Sequence, residues 1–252
     1  MNLTPPLTPL PGLNGQLAAA GWAVLDAAGL RELAGLSAAD LQAWLPMWNS
    51  LPADPHLRDG GAYRRRRHGC LVVEAGEVRA VPPRAHWQPL AYNALHGGFE
   101  RWFEPLPPTL AADPAWASLM RGLAAVADAL RGTQPWFVEA HPFRIEAGGA
   151  AGIGRPTPEG AHRDGVDLVA VMLVARQGVK GGETRVFDAD GPQGVRFTLS
   201  EPWSVLLLDD NRVIHESTPI QPLDPARPGW RDTLVITLRA GGFQGPDVQE
   251  GP

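Results

Sequence analysis

The chain has 252 residues, 44% hydrophobic and 19% charged, which is enough apolar material for one large domain and too little charge for a disordered one. Basic residues number 22 and acidic residues 27, and the net charge of −5 argues against phosphate-backbone binding, so nucleic acid is not an expected partner. Cys70 is the single cysteine, which excludes an intrachain disulfide and any multi-cysteine metal site and fits a reducing, cytoplasmic setting.

Prolines at positions 5, 6, 9 and 11 keep residues 1–15 out of a regular helix, and this segment is expected to be extended or mobile, with structure starting near Leu17. The apolar run 17–25 is far too short to span a bilayer, and no basic residue precedes Arg31, so neither a membrane partner nor a secretory leader is expected. Ser37 and Asp40 have capping-box spacing and open a helix with Leu41, Trp44, Leu45 and Trp48 on one stripe. Tyr63 to Val73 offers a strand. A second helix starts at Asp113 with Pro114 in its first position, carries Trp116, Leu119, Leu123, Val126 and Leu130 on one face, and stops at Gly132.

After Pro135 the texture changes. Short runs rich in β-branched and aromatic residues, at 136–145, 168–174, 184–187, 204–208, 212–215 and 233–238, alternate with Gly, Pro and Asp turns. These are strands of a sandwich or barrel. The predicted class is α+β with a mainly β core at 135–240. Elements from 16–134 back that core, a tail follows at 241–252, and the whole is one domain.

The serine-hydrolase elbow, the phosphate-binding loop and the His-Glu-x-x-His zinc motif are all missing from the sequence. Among seven histidines, only His162 has a carboxylate two positions on, in His162-Arg163-Asp164. On an extended segment such residues point to the same side and can reach one ion. His215 is 51 residues beyond Asp164, in another strand-like run, and completes two histidines and one carboxylate. That face leaves half of an octahedral Fe(II) open for a chelating co-substrate and O₂. Arg231 and Thr233 share the parity of Val235 and Thr237 on the last strand, so a guanidinium fork and a hydroxyl face one side as a carboxylate receptor. Taken singly, a His-x-Asp pair is most often accidental, His215 a hydrogen-bonded strand-end histidine, and Arg231 half of a surface ion pair; their spacing and parity agree only in company. Asp209 and Asp210 read as turn residues.

The order His-x-Asp, long interval, His, then Arg-x-Thr resembles the Fe(II)/2-oxoglutarate-dependent dioxygenases. The stretches Pro156 to Asp167, Gly181-Gly182-Glu183, Leu207 to Asp210 and His215 to Ile220 are similar to the bacterial branch that includes free L-amino-acid hydroxylases of the isoleucine dioxygenase type. The resemblance implies a double-stranded β-helix, the jelly-roll, cupin-like fold, with N-terminal helices packed against it. It implies that His162, Asp164 and His215 are iron ligands and catalytic residues, and that Arg231 binds the far carboxylate of 2-oxoglutarate; Thr233 joins it by parity. The activity implied is hydroxylation of a small carboxylate-bearing metabolite, a free amino acid first, with Fe(II) as cofactor, 2-oxoglutarate and O₂ consumed, and succinate and CO₂ released. Two rival readings are a non-catalytic iron and 2-oxoglutarate sensor in stress or biofilm regulation, and a cupin-like enzyme using the metal as a Lewis acid. Nothing in the pattern sets an oligomeric state.

Other residues are candidates with bland alternatives. Arg64 to Arg67 alternate across a strand and serve either a solvated edge or the substrate carboxylate, with Arg65 and Arg67 taken as substrate-facing although the sequence does not fix the phase. His141 and Arg144 precede the metal motif on a strand and are read either as structural or as lining the site. The glycine-rich residues 147–160 are expected to be mobile and to act as a lid.

Overall fold

A computed structural model of the chain describes residues 3–246. It opens with a 3-10 turn (Leu10–Gly12), helix α1 (Leu13–Ala20), strand β1 (Trp22–Leu25) and helices α2 (Ala27–Ala34) and α3 (Ala38–Trp44). Strands β2 (Arg64–Arg66), β3 (Gly69–Glu74) and β4 (Glu77–Ala80) follow, then the short α4 (Pro108–Ala111) and the long α5 (Pro114–Arg131). Next come β5 (Trp136–Ala147), β6 (Leu168–Gln177), β7 (Val179–Gly181), β8 (Thr184–Asp188) and β9 (Gly194–Phe197). The chain finishes with β10 (Val205–Asp209), β11 (Val213–Ser217), β12 (Ile220–Pro222) and β13 (Gly229–Arg239).

Antiparallel pairing joins β1-β10-β6-β13-β5-β3-β4 into one large sheet, with β2 also on β5. Smaller sheets, β11-β8-β9 and β12-β7, complete a jelly-roll double-stranded β-helix. The large sheet is covered on both sides, so its inner strands read as continuous apolar runs. On β6, Leu168, Ala170, Met172 and Val174 share one buried cluster with Leu119 and Leu123 of α5, while Val169 and Leu173 join Val186, Phe197 and Leu206 in a second cluster. Helix α5 also comes close to α2 at Gly122, where a Cβ would lie 2.9 Å from the Leu33 carbonyl oxygen.

Local chemistry explains the helix ends. Asp26 caps α2, accepting from the Gly29 N–H at 2.7 Å, and the Ser37/Asp40 capping box opens α3. Pro46 has no N–H for the next helical bond, and the chain tightens into a 3-10 stretch, Leu45–Ser50. That stretch aims Trp48 into the core. Its Nε1–H donates to the Phe143 and Thr233 carbonyls of β5 and β13 at 3.1 and 3.3 Å, and its ring meets Trp203 edge to face.

Ordered structure starts earlier than Leu17. Leu7 forms a parallel bridge to Val24, the Thr8 N–H donates to the Val24 carbonyl at 2.7 Å, and Leu13 and Leu17 of α1 are buried. Prolines forbid a helix at the very start, but they are compatible with an extended segment laid along a strand. Of the segment 241–252, residues 247–252 lie outside the described part.

Trp48 fills core volume and bridges two strands, so Trp48→Ala is expected to cost about 3–5 kcal/mol. Trp48→Phe, which keeps the ring and loses the donor, should cost about 1–2 kcal/mol. Urea unfolding followed by near-UV circular dichroism checks both values.

Candidate active site

His162 and Asp164 lie on the connection between the glycine-rich loop and β6, and His215 lies on β11. The backbones of His162 and His215 exchange hydrogen bonds in both directions, at 3.0 and 2.9 Å, which sets the ring centroids 4.6 Å apart. Asp164 then spans the pair: Oδ1 is 3.8 Å from His162 Nε2 and Oδ2 is 3.8 Å from His215 Nε2. All three residues offer ligand atoms to one point. His162 Nδ1–H donates to the Gly160 carbonyl at 3.0 Å, which leaves the Nε2 lone pair facing that point. Burial holds the His215 imidazole well below its usual range, so it is neutral and able to ligate. For His162 burial acts in the same direction, but the Asp164 and Glu159 carboxylates outweigh it and raise the imidazole.

The loop carrying Asp164 is irregular and is held by side chains. Asp210, in the turn after β10, accepts the backbone N–H groups of Asp164, Gly165 and Val166 at 3.0, 2.7 and 3.1 Å. Burial and the neighbouring Asp164 push its carboxyl up to about 7. Asp209 pairs with Arg131. The turn reading of these two aspartates therefore omits what they do: one ties β10 to α5 and the other clamps the metal loop. Gln88 holds Asp164 from the opposite side. Its Nε2 donates to Asp164 Oδ1 at 3.0 Å, and its Oε1 accepts from Arg101 at 2.7 Å and from Asn93 at 3.0 Å.

A cavity of about 130 Å³ opens on the cluster, sized for small molecules. Arg231, Thr233, Val235 and Thr237 all line it, as their parity requires. Arg231 is 2% exposed, and among the described residues its Nε and one terminal nitrogen have no acceptor. Burial, with Arg176 nearby, pushes this guanidinium down to about 10, an uncompensated charge that an anion would relieve.

The candidate substrate residues divide. His141 lines the cavity, whereas Arg65, Arg67 and Arg144 do not. Arg65 turns out to Glu146 at 2.9 Å, Arg67 to Glu104 at 2.8 Å, and Arg144 to Asp232 at 2.7 Å while stacking on Trp230. The pairing of β2 with β5 puts Arg64 and Arg66 inside instead, and four consecutive arginines give a sequence reading no means of choosing that phase. Within the 147–160 segment, Gly154 exchanges backbone bonds with Ile220, and Thr157 Oγ1 bonds the Ser217 backbone at 2.9 and 3.1 Å.

The opposite wall carries a second group of metal-type side chains, His68, His86, Glu139 and His141, all buried. Glu139 Oε2 lies 3.2, 2.6 and 3.5 Å from nitrogens of His68, His86 and His141. This is a hydrogen-bonded cage rather than a metal centre. Arg66 donates to His141 Nδ1 at 2.6 Å, which puts the proton of that ring on Nε2, and the His68 and His141 rings lie stacked at 7°, so their in-plane lone pairs do not converge. Sequence reasoning missed His86, Gln88, Arg101 and Glu139. Three of these sit between β4 and α4 in a stretch without periodicity.

A family model described as 2OG-Fe dioxygenase matches residues 45–237. The chain belongs to the 2OG-Fe dioxygenase family. This dioxygenase is 54% identical to a bsmA homolog from Methylobium petroleophilum, whose crystal structure superposes with a TM-score of 0.90 over 96% of this chain and 98% of that one. IDO from Bacillus thuringiensis shares the fold at 15% identity, with a TM-score of 0.73 over 96% of this chain and 99% of its own. The Fe(II)/α-ketoglutarate-dependent dioxygenase TqaL does so at 19% identity, with a TM-score of 0.71 over 96% and 90%. Among curated proteins no match is found. The family uses Fe(II), 2-oxoglutarate and O₂, and the two neutralisable imidazoles and one carboxylate gathered here fit the iron. Among the described residues no helix is long and apolar enough to cross a membrane.

Removing the Asp210 carboxylate strands the donors of the metal loop. Asp210→Ala is expected to lower stability by about 2–3 kcal/mol and to weaken Fe(II) binding about 10- to 100-fold. Denaturant unfolding and metal titration of the apoprotein measure the two effects separately.

Proposed function

We propose that this dioxygenase hydroxylates a C–H bond of a small carboxylate-bearing metabolite, a free L-amino acid before others, in the cytoplasm, with His162, Asp164 and His215 holding the iron. The observation that carries the reading is the buried, unpartnered Arg231 in the same cavity as the three converging ligand atoms. A dicarboxylic keto acid needs both features: a metal to chelate at one end and a guanidinium to receive the other. Bound there, Fe(II) supplies the oxidative chemistry that couples decarboxylation of 2-oxoglutarate to hydroxylation of the substrate.

The protein's part is positional. Arg231, with Thr233 beside it on β13, fixes the far carboxylate, and burial strengthens that bond because no water competes. The Gly160 carbonyl keeps the His162 proton on Nδ1, while Gln88 and Asp210 fix the orientation of Asp164. Phe143, Val166 and Val235 line the cavity and keep water from the reacting carbon. Cationic side chains of β2 face the same space, which suits an anionic substrate, and the size of the cavity suits a small one.

Anaerobic addition of Fe(II) and 2-oxoglutarate should give a visible charge-transfer band, absent in His162→Ala. Arg231→Ala should keep metal binding and weaken 2-oxoglutarate at least ~30-fold, the loss for one buried charge-assisted contact. Admitting O₂ with a panel of amino acids should release succinate and a hydroxylated product in equal amounts. A band without coupled product would favour a sensor, and loss of metal in Arg231→Ala would show that its role is wrongly assigned.

A further inference from the structure

Once Arg231 is assigned to the co-substrate, the cavity still holds three charged groups that, among the described residues, have no hydrogen-bonded partner of opposite sign. Arg66 and Arg101 are 3% and 2% exposed, and the Nε–H of each is buried without an acceptor. Arg66 is clamped between two rings, its guanidinium carbon 3.9 Å from the Phe103 centroid and 4.4 Å from that of Phe143. Its hydrogen bond goes to a neutral imidazole, His141, and that of Arg101 to a neutral amide, Gln88. Neither forms an ion pair with a carboxylate among the described residues. Burial pushes Arg101 down to about 10, against the pull of nearby carboxylates that include Glu159.

Glu159 is the complementary case. It stands on the loop before His162, with Oε2 buried and without a donor and Oε1 3.7 Å from His162 Nε2. His96 approaches Oε2. The Arg58 N–H donates to His96 Nε2 at 3.3 Å, which puts the imidazole proton on Nδ1, 4.0 Å from the carboxylate and beyond hydrogen-bond reach. Buried charges without partners cost several kilocalories each and persist where a ligand supplies the opposite charge.

We infer that Arg66 and Arg101 receive the carboxylate, and Glu159 the ammonium, of a zwitterionic α-amino-acid substrate. The inference rests on the dioxygenase reading of the same cavity and adds to it a rule for recognition at both ends of the substrate. Two cationic groups and one anionic group converge on a space shared with the ligand cluster, and an α-amino acid presents its two charges on one carbon. With both charges held, the side chain is the part left to meet the metal.

The test pairs variants with matched compounds: L-leucine, the corresponding 2-hydroxy acid lacking the ammonium, and L-leucinamide lacking the carboxylate, with the same sets built on L-isoleucine and L-methionine. Binding is read anaerobically from the shift each compound produces in the Fe(II)–2-oxoglutarate band. In the wild-type protein at least one amino acid should bind at least ~30-fold more tightly than either analogue. Glu159→Gln should abolish the preference over the hydroxy acid and keep the preference over the amide. Arg66→Gln should do the reverse, and Arg101→Lys should weaken carboxylate compounds selectively. The band without compound reports that each variant is folded and metal-competent. Equal weakening of all three compounds, or a wild-type band that no amino acid shifts, overturns the inference. Loss of the band itself in Glu159→Gln also overturns it, because Glu159 would then serve the metal. A wild-type protein that gives no band at all removes the site reading beneath it.

Discussion

Period-two alternation is the constraint on which this molecule depends. A strand covered on both sides presents alternate residues to two different layers, and β5 and β13 use those layers for opposite chemistries. Leu234, Ile236 and Leu238 of β13 and Val138 and Ala140 of β5 belong to the same buried cluster as the helices' apolar residues. Arg231 and Thr233, with Glu139 and His141, occupy the reverse faces. The ladder sets Thr233 against Phe143 and Arg231 against Ile145. A slip of one residue would drive the charged set into the helix-facing core and bring leucines to the cavity, so the apolar stripes hold the polar ones in register. The hydrophobic core and the reactive surface are thus two readings of the same strands.

The ligand cluster cannot rely on a ladder in this way, because His162 and Asp164 lie where the chain is irregular. Precision comes instead from a single backbone bridge to β11 and from polar side chains far away in sequence. Gln88 and Asp210 reach Asp164 from opposite sides, one through the carboxylate and one through the backbone. Such outer contacts decide whether a ligand set is preorganised or must be gathered by the ion.

How far the site was legible follows from this division. Arg231 and Thr233 were visible because strand parity survives without knowledge of the partner strand, and His162, Asp164 and His215 because a His-x-Asp pair followed by a distant histidine is a pattern of ligand residue types, although the first two sit on irregular chain rather than on a strand. The strands from 136 onward and the helix at 114–131 were visible because apolar periodicity and capping residues are local signals. Asp210 was read as a turn because its work is to accept N–H groups more than forty residues away, and no local pattern records that. The phase of Arg64 to Arg67 was hidden because identical neighbours erase alternation. Gln88 and Arg101 lie in a stretch whose shape comes from isolated bridges such as His86 to Arg101 and from tertiary contacts. The N-terminal segment was bounded too late, because the prolines rule out a helix only as far as Pro11 and α1 already begins at Leu13, while the extended reading of the residues before it agrees with the bridge from Leu7 to Val24.

That proline-rich segment has a consequence for the molecule in concentrated solution. β1 is the terminal strand of the large sheet, and residues 7 and 8 run beside it. Pro5, Pro6 and Pro9 around them have no N–H to offer a newcomer. At the other end β4 turns the charged Glu77 and Arg79 outward. A sheet finished in this manner disfavours a neighbouring copy at both margins, through missing backbone donors at one and through charge at the other.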